Sequence, residues 1–164
     1  MKIFLIGMPG SGKSTLGKEV SEALGVQFID LDHEIENKEG KTIPEIFSQQ
    51  GEEYFRKLES ATLREQSEQH ENFVMATGGG APCFHDGIKL INASGISVFL
   101  NVSLSELLSR NEMYKHRPLL QGDAKERLKN LYHKRLSIYN QARQIISGDN
   151  ISAKDILTAL NTKN

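Results

Sequence analysis

The sequence lacks several features that would suggest a secreted, membrane or nucleic-acid-binding protein. Its single cysteine, Cys83, excludes an intrachain disulfide and a cysteine-rich zinc site and is expected to be a half-buried packing residue. No apolar run approaches the roughly 20 residues that a membrane helix needs. Twenty basic residues oppose 21 acidic ones, with no basic stripe, so we expect no nucleic-acid partner. Because Met1-Lys2 leads directly into an apolar run, we expect no signal peptide and a cytoplasmic protein.

A glycine-rich motif near the amino terminus gives the first positive indication of function. It reads Gly7-Met8-Pro9-Gly10-Ser11-Gly12-Lys13-Ser14-Thr15 and fits the Walker A pattern G-x-x-x-x-G-K-[ST]. A short apolar run at 3–6 precedes it and predicts a buried strand, and apolar residues recur at helical spacing after it. Backbone N–H groups and the helix N-terminus would bind phosphate, Lys13 would reach the β- and γ-phosphates, and Ser14 would bind magnesium. The motif predicts a nucleoside triphosphate site; the alternative is a glycine-rich turn without a ligand.

Apolar runs alternate with helical patterns, which predicts one α/β domain over residues 1–164 with a parallel sheet. Strands are predicted at 2–6, 27–30, 73–77, 96–101 and 144–147. Helices are predicted at 14–24, 44–49, 52–69, 104–111, 124–142 and 153–160. Capping boxes at Thr42–Glu45 and Ser103–Glu106 and an N-cap at Ser152 support three of these helix starts.

Two segments interrupt the simple alternation. Residues 32–69 place two or three consecutive helices between the second and third strands. Residues 112–123 form a polar segment with Pro and Gly between two helices, longer than most helix connections. We interpret the second segment as a lid over the phosphates, with an ordinary surface loop as the alternative.

Two carboxylates follow the second strand, in Phe28-Ile29-Asp30-Leu31-Asp32. If the strand continues to Asp32, residues two apart share one face, so both carboxylates point the same way. Ligands of open α/β sheets bind beyond the carboxyl ends of the strands, where the Walker A turn also lies. Asp30 and Asp32 would therefore hold magnesium and accept a proton or hydrogen bond from a substrate hydroxyl. The alternative is a solvated strand end.

Three consecutive glycines, Gly78, Gly79 and Gly80, follow the third strand. Their missing side chains expose backbone N–H groups at the strand end. A plain turn rarely needs three glycines, so close approach of a ligand is the favoured interpretation.

Two arginines differ in what periodicity predicts for them. Arg135 falls in the middle of the apolar stripe of the helix at 124–142, so an anion site facing the interior is implied. The alternative is an arginine whose charged end reaches solvent. Arg56 lies off the stripe of its helix, and periodicity predicts only a solvated residue paired with Glu59.

Taken together, these residues resemble the shikimate kinases, small P-loop enzymes that phosphorylate the 3-hydroxyl of shikimate. The ordered series spans nearly the whole chain and consists of the Walker A motif, Phe28-x-Asp30-x-Asp32, Phe55-Arg56-x-x-Glu59, Gly78-Gly79-Gly80, Arg117-Pro118-Leu119-Leu120, and Arg135 four residues before Tyr139. The resemblance implies a three-layer α/β/α fold of the nucleoside-monophosphate-kinase type. Its five-stranded parallel sheet would carry a helical substrate-binding insertion at about 32–69 and a lid at about 112–123.

The resemblance also implies a role for each site residue. Asp32 would bind the attacking hydroxyl and could act as its base. Asp30 would hold Mg²⁺ largely through water. Arg56, Arg135 and the turn of Gly78, Gly79 and Gly80 would bind the substrate carboxylate. Glu59 would orient Arg56. Arg117 would contact the phosphates from the lid, and Arg110 matches the adenine-stacking arginine. Lys13, Asp32 and Arg117 would be the catalytic residues.

Two segments depart from the family pattern, both on the adenine side. Residues 111–116 carry no family signature before Arg117, and the segment at 147–150 lacks the usual Asp-Thr. We expect a monomer that uses ATP and shikimate with Mg²⁺ as cofactor. The alternatives are another small-metabolite or nucleoside-monophosphate kinase on the same scaffold and a nucleotide-binding module without catalysis.

Overall fold

A five-stranded, fully parallel sheet forms the centre of the protein in the computed structural model, which describes residues 1–113 and 121–162. The strands are β1 (Lys2–Ile6), β2 (Gln27–Asp30), β3 (Phe73–Ala76), β4 (Ile96–Asn101) and β5 (Gln144–Ser147). Their order in the sheet is β2-β3-β1-β4-β5, so the strand that leads into the Walker A turn is central. In register, Leu5 of β1 lies opposite Ala76 of β3 and Val98 of β4.

Seven helices are described, and they cover both faces of the sheet. They are α1 (Lys13–Leu24), α2 (Leu31–Glu39), α3 (Ile43–Gln69), α4 (Gly87–Ser94), α5 (Leu104–Met113), α6 (Gln121–Tyr139) and α7 (Ala153–Asn161). Because successive side chains of β1 point to opposite faces of the sheet, they contribute to two separate apolar cores. Ile3 and Leu5 pack with α1 and α7, whereas Phe4 and Ile6 pack with the other five helices. The predicted three-layer α/β/α architecture is confirmed.

The predicted elements agree with the structure except at a few positions. Four strands have the predicted bounds, and β3 ends one residue earlier, at Ala76. The helices predicted at 44–49 and 52–69 are one helix, α3, with a kink at Gly51, whose φ is 85°. The helix predicted at 124–142 begins and ends three residues earlier, as α6. Two helices had no predicted bounds, α2 and α4. The N-cap of α4, Asp86, adopts a left-handed backbone conformation and makes no side-chain capping bond.

Local capping bonds explain where several helices begin. Thr42 with Glu45 and Ser152 with Asp155 form complete capping boxes, as predicted. The box predicted at Ser103 is only half formed: its hydroxyl accepts from the Glu106 N–H at 3.2 Å, whereas its own N–H donates to a different carboxylate. Within the described ranges, no helix is long and apolar enough to cross a membrane.

The strand β2 ends at Asp30, its predicted last residue, so the condition under which Asp30 and Asp32 would share a strand face is not met. Asp30 is the N-cap of α2 and accepts a hydrogen bond from the His33 N–H at 3.4 Å. Asp32 therefore lies in the first turn of a helix. A short polar side chain at a helix start satisfies free backbone N–H groups, and this preference places the strand end at Asp30. Both carboxylates still line the same cavity.

Candidate active site

The Walker A turn connects β1 to α1 through three glycines with positive φ. Gly7, Gly10 and Gly12 have φ of 147°, 82° and 95°, a region that side chains disfavour. The Lys13 side chain folds over the turn, where its Nζ donates to the carbonyls of Gly7 and Met8 at 2.9 and 2.8 Å. Burial lowers the pKa of Lys13 to about 8, although the charge of Asp32 acts in the opposite direction. The turn thus presents a desolvated ammonium group beside the helix N-terminus.

Hard oxygen ligands meet at the start of α1. The Ser14 hydroxyl donates to Asp30 Oδ2 at 2.6 Å, which ties the Walker A helix to the end of β2. A hydroxyl and a carboxylate are oxygen donors of the kind that Mg²⁺ prefers, usually with water completing its shell. These two residues therefore fit a magnesium ion that also contacts phosphate.

Asp32 lies across the cavity from the Walker A turn, against the glycine turn that follows β3. A Cβ atom at Gly78 would lie 2.8 Å from Asp32 Oδ1 and 2.8 Å from Glu59 Oε2. Burial and the nearby charge of Asp30 raise the pKa of Asp32, and Lys13 partly offsets this. A desolvated carboxylate with a raised pKa is suited to accept a proton from a hydroxyl.

Arg56 is largely shielded from solvent and belongs to the site, so the solvated position predicted from periodicity is wrong. Its side chain is 11% exposed, and Nη1 donates to the buried carboxylate of Glu59 at 2.9 Å. The ring of Phe84 lies over the guanidinium, 4.2 Å from centroid to Cζ. A Cβ at Gly80 would lie 2.1 Å from Arg56 Nη1, so only glycine leaves room for this arginine. The predicted pairing with Glu59 is confirmed.

Arg135 is 8% exposed, as expected from its place in the apolar stripe of α6. Its Nη1 would lie 3.0 Å from a Cβ at Gly79, and Pro9 of the Walker A turn approaches the same position to 3.1 Å. The glycine turn is therefore packed between both arginines and the nucleotide loop. Two guanidinium groups on one turn form a site for an anion.

Arg110 connects α5 to the nucleotide loop. Its Nη1 donates to the Gly10 carbonyl at 3.0 Å and its Nη2 to the Asp149 carbonyl at 2.6 Å. Glu106 pairs with its Nε at 2.9 Å. The arginine therefore lies at the edge of the cavity where the segment after β5 returns. Residues 114–120 of the predicted lid, which include Arg117, lie outside the described residues. The two ends of the segment predicted as a loop are helical instead, because α5 extends to Met113 and α6 begins at Gln121.

A cavity of about 1000 Å³ joins these groups along the carboxyl edge of the sheet. Its lining includes the Walker A turn from Pro9 to Leu16, Asp30, Asp32, Gly78, Gly79 and Arg110. Arg56, Gly80 and Arg135 are contiguous with this lining through their contacts with the glycine turn. Residue patterns did not indicate the contributions of His33, Val102 and Ile151 to the wall, since an isolated apolar or aromatic residue resembles any packing residue.

The site and the topology define a class: a P-loop α/β protein with one space for a nucleoside triphosphate and a second space that suits an anion with hydroxyl groups. Comparisons with known proteins narrow this class. The family model described as "Shikimate kinase" matches residues 9–163. A shikimate kinase of Bacteroides thetaiotaomicron is 44% identical over 156 residues, covering 92% of this chain and 89% of that protein.

Solved structures give the same result. The crystal structure of the shikimate kinase from Bacteroides thetaiotaomicron has a TM-score of 0.86 and 40% identity, covering 99% of this chain and 95% of that one. A shikimate kinase from Acinetobacter baumannii, solved in complex with shikimate, has a TM-score of 0.86 and 36% identity, covering 99% and 94%. The chain belongs to the shikimate kinase family and is a kinase.

Proposed function

We propose that the protein transfers the γ-phosphoryl group of ATP to the 3-hydroxyl of shikimate, giving shikimate 3-phosphate and ADP in aromatic amino-acid biosynthesis. The observation that carries this proposal is the position of Asp32. Its half-buried carboxylate lies between the Walker A lysine and a glycine turn that contacts two arginines, of which Arg135 is buried and Arg56 largely so. Such an arrangement suits a molecule that presents a hydroxyl to the aspartate and a carboxylate to the arginines. The relative from Acinetobacter baumannii, solved with shikimate, supports this assignment.

On the donor side, residues 10–15 would bind the phosphates of ATP through backbone N–H groups and the Lys13 ammonium. Ser14 and Asp30 would hold Mg²⁺, which when bound neutralises charge on the β- and γ-phosphates. Arg110 would border the adenine. Phosphoryl transfer needs mainly positioning and charge stabilisation, which a buried ammonium supplies more strongly than an exposed one.

On the acceptor side, Asp32 would accept a hydrogen bond from the 3-hydroxyl and take its proton as the phosphorus–oxygen bond forms. Arg56, held by Glu59, and Arg135 would bind the carboxylate together with the turn of residues 78–80. Charge-assisted pairs fix orientation as well as affinity, which directs the correct hydroxyl at the phosphate.

The lid completes the proposed site, and it is inferred from the sequence. We propose that residues 112–123 close over ATP and that Arg117 contacts the transferred phosphoryl group. Closure would exclude water and suppress hydrolysis of ATP in the absence of an acceptor. We also propose one catalytic domain with an acceptor-binding insertion at about 32–69, acting as a cytoplasmic monomer.

Release of ADP tests the proposal. The protein is incubated with ATP and Mg²⁺ alone, then with shikimate, gluconate or a panel of nucleoside monophosphates. We expect shikimate alone to accelerate ADP release. Acceleration by a nucleoside monophosphate would assign the arginines to a phosphate, and ATP binding without any acceptor-dependent turnover would indicate a non-catalytic module.

A further inference from the structure

Tyr139, the last residue of α6, lies beneath the glycine turn and makes a polar contact that a packing residue would not need. Its side chain is 1% exposed, and its ring packs against Phe99 with the centroids 5.1 Å apart. The hydroxyl donates to the carbonyl oxygen of Gly79 at 2.6 Å. Sixty residues separate these two groups in the chain. The tyrosine therefore fixes the glycine turn through its backbone.

The same hydroxyl also interacts with Arg135, one helical turn earlier. Burial raises the pKa of Tyr139 above its ordinary range, and the charge of Arg135 partly offsets this. The hydroxyl therefore keeps its proton and can donate to Gly79. The Arg135 Nη1 would lie 3.0 Å from a Cβ at Gly79, so Tyr139 and Arg135 meet the glycine turn at the same residue.

The bond to Gly79 affects two groups at once. Residues four apart lie on the same face of a helix, so Tyr139 lies beside Arg135, and the Gly79 backbone that it holds is the one against which the Arg135 guanidinium packs. Across a planar trans peptide the carbonyl and the next N–H point in opposite directions. Holding the Gly79 carbonyl toward Tyr139 therefore turns the Gly80 N–H away from Tyr139.

We propose that Tyr139 is a positioning residue for the acceptor: its hydroxyl fixes the Gly79–Gly80 peptide, against which the Arg135 guanidinium packs, so that both can receive the substrate carboxylate. The proposal rests on the proposed function, because it takes shikimate as the acceptor. Tyr139 itself touches no substrate in this account.

A packing role and a positioning role predict different kinetics. Loss of packing lowers the fraction of folded enzyme, so the apparent kcat falls without a selective change in the KM of either substrate. Loss of positioning weakens the carboxylate site, while the Walker A turn and Asp32 keep their places. Only in the second case does the KM for the acceptor rise while the KM for ATP stays the same.

The test is the variant Tyr139→Phe, which keeps the ring and removes one oxygen. We expect its KM for shikimate to rise about tenfold, the effect of one lost buried hydrogen bond, with kcat and the ATP KM within about twofold of wild type. Tyr132→Phe removes a hydroxyl from the same helix and serves as the matched control. All three of its parameters should stay within about twofold of wild type.

A substrate lacking the charge isolates the mechanism further. With the carboxamide of shikimate, wild type and Tyr139→Phe should differ by less than about threefold, because the anion that the site aligns is absent. An equal penalty on shikimate and its carboxamide would overturn the proposal, as would a Tyr139→Phe variant with an unchanged shikimate KM or equal losses for both substrates.

Two further observations keep the outcomes separate. If Tyr139→Phe fails to fold, 3-fluorotyrosine at position 139 keeps the hydroxyl and changes its donor strength. A shift of the shikimate KM alone would then support the proposal, and no shift would contradict it. If wild type itself does not turn over shikimate, the proposed function fails and this inference with it. Wild-type activity with an insensitive Tyr139 variant contradicts only the inference.

Discussion

The two halves of the cavity are built in different ways. The proposed donor half consists of residues 10–15 with Asp30, and it would bind mainly through consecutive backbone groups of a turn that contains three glycines of positive φ, Gly7, Gly10 and Gly12. The proposed acceptor half consists of Asp32, Arg56, residues 78–80 and Arg135, which come from α2, α3, the turn after β3 and α6. On this assignment a contiguous loop would give general phosphate binding, whereas charges from distant segments would give selectivity for one acceptor.

The largest effect is expected from Asp32→Asn, which keeps the shape of the side chain and removes the proton acceptor. We expect kcat to fall by roughly 10²–10⁴-fold, the range for loss of a general base, with smaller changes in both KM values. Steady-state kinetics with ATP and shikimate measure this. The matched variant Asp30→Asn should mainly raise the Mg²⁺ concentration that gives half-maximal rate. Equal losses of kcat in both variants at saturating Mg²⁺ would contradict the separation of their roles.

Two glycine substitutions, one in each half of the cavity, are expected to have the next largest effects and to change the KM of different substrates. In Gly80→Ala the new Cβ would lie 2.1 Å from Arg56 Nη1, so the guanidinium must move. We expect the shikimate KM to rise by roughly tenfold or more, as overpacking of 1–3 kcal/mol implies, with the ATP KM nearly unchanged.

Gly12→Ala is the donor-side counterpart. Its Cβ would meet only Leu16 at 3.5 Å, but a φ of 95° strains any side-chain-bearing residue. Here the ATP KM should rise and the shikimate KM should not. Indistinguishable kinetic patterns for the two glycine variants would contradict the division into halves.

The pH dependence of nucleotide binding is expected to report Lys13. Its pKa is lowered to about 8 in the folded protein, so the ammonium is present below that pH and is lost above it. Affinity for a non-hydrolysable ATP analogue, measured by calorimetry from pH 6 to 10, should therefore decline above about pH 8. Because the Asp32 charge raises the pKa of Lys13, Asp32→Asn should move this decline to lower pH. A decline that stays in place, or moves to higher pH, would contradict the coupling.

The smallest effects are expected from two buried hydroxyls, Ser11 Oγ and Thr62 Oγ1, which lack a hydrogen-bond partner among the described residues. Ser11 lines the cavity, so Ser11→Ala should raise the ATP KM about threefold. Thr62→Val should add up to about 1 kcal/mol to the free energy of unfolding, or about 2–4 °C in Tm, and leave the kinetics unchanged. A stabilised Ser11→Ala with normal ATP binding would show that the two hydroxyls are equivalent.

The difference between the halves also explains how far the sequence could be interpreted. The donor half was predictable because all its groups except Asp30 lie within one motif. Arg135 was predictable because a charge in an apolar stripe is conspicuous, and the structure buries it. Arg56 was not predictable from periodicity, because its burial depends on Phe84 and Gly80, which belong to another segment.

The remaining differences arise where local preferences compete or where distant segments meet. Asp30 caps a helix instead of continuing a strand, which changes how Asp32 reaches the cavity. The backbone at His85 and Asp86 is left-handed, so no capping pattern in the sequence indicates where α4 begins. The bond between Tyr139 and Gly79 joins residues on separate elements, so periodicity within either segment does not reveal it.

The most direct test of the account is the identity of the phosphorylated product. ATP, Mg²⁺ and shikimate are incubated with the protein, and the product is analysed by phosphorus and proton NMR. We expect a single phosphate ester whose phosphorus couples to the proton on carbon 3, since in the proposed site Asp32 and the two arginines would together orient that hydroxyl. A phosphate on another hydroxyl, a mixture of esters, or no ester at all would contradict the account.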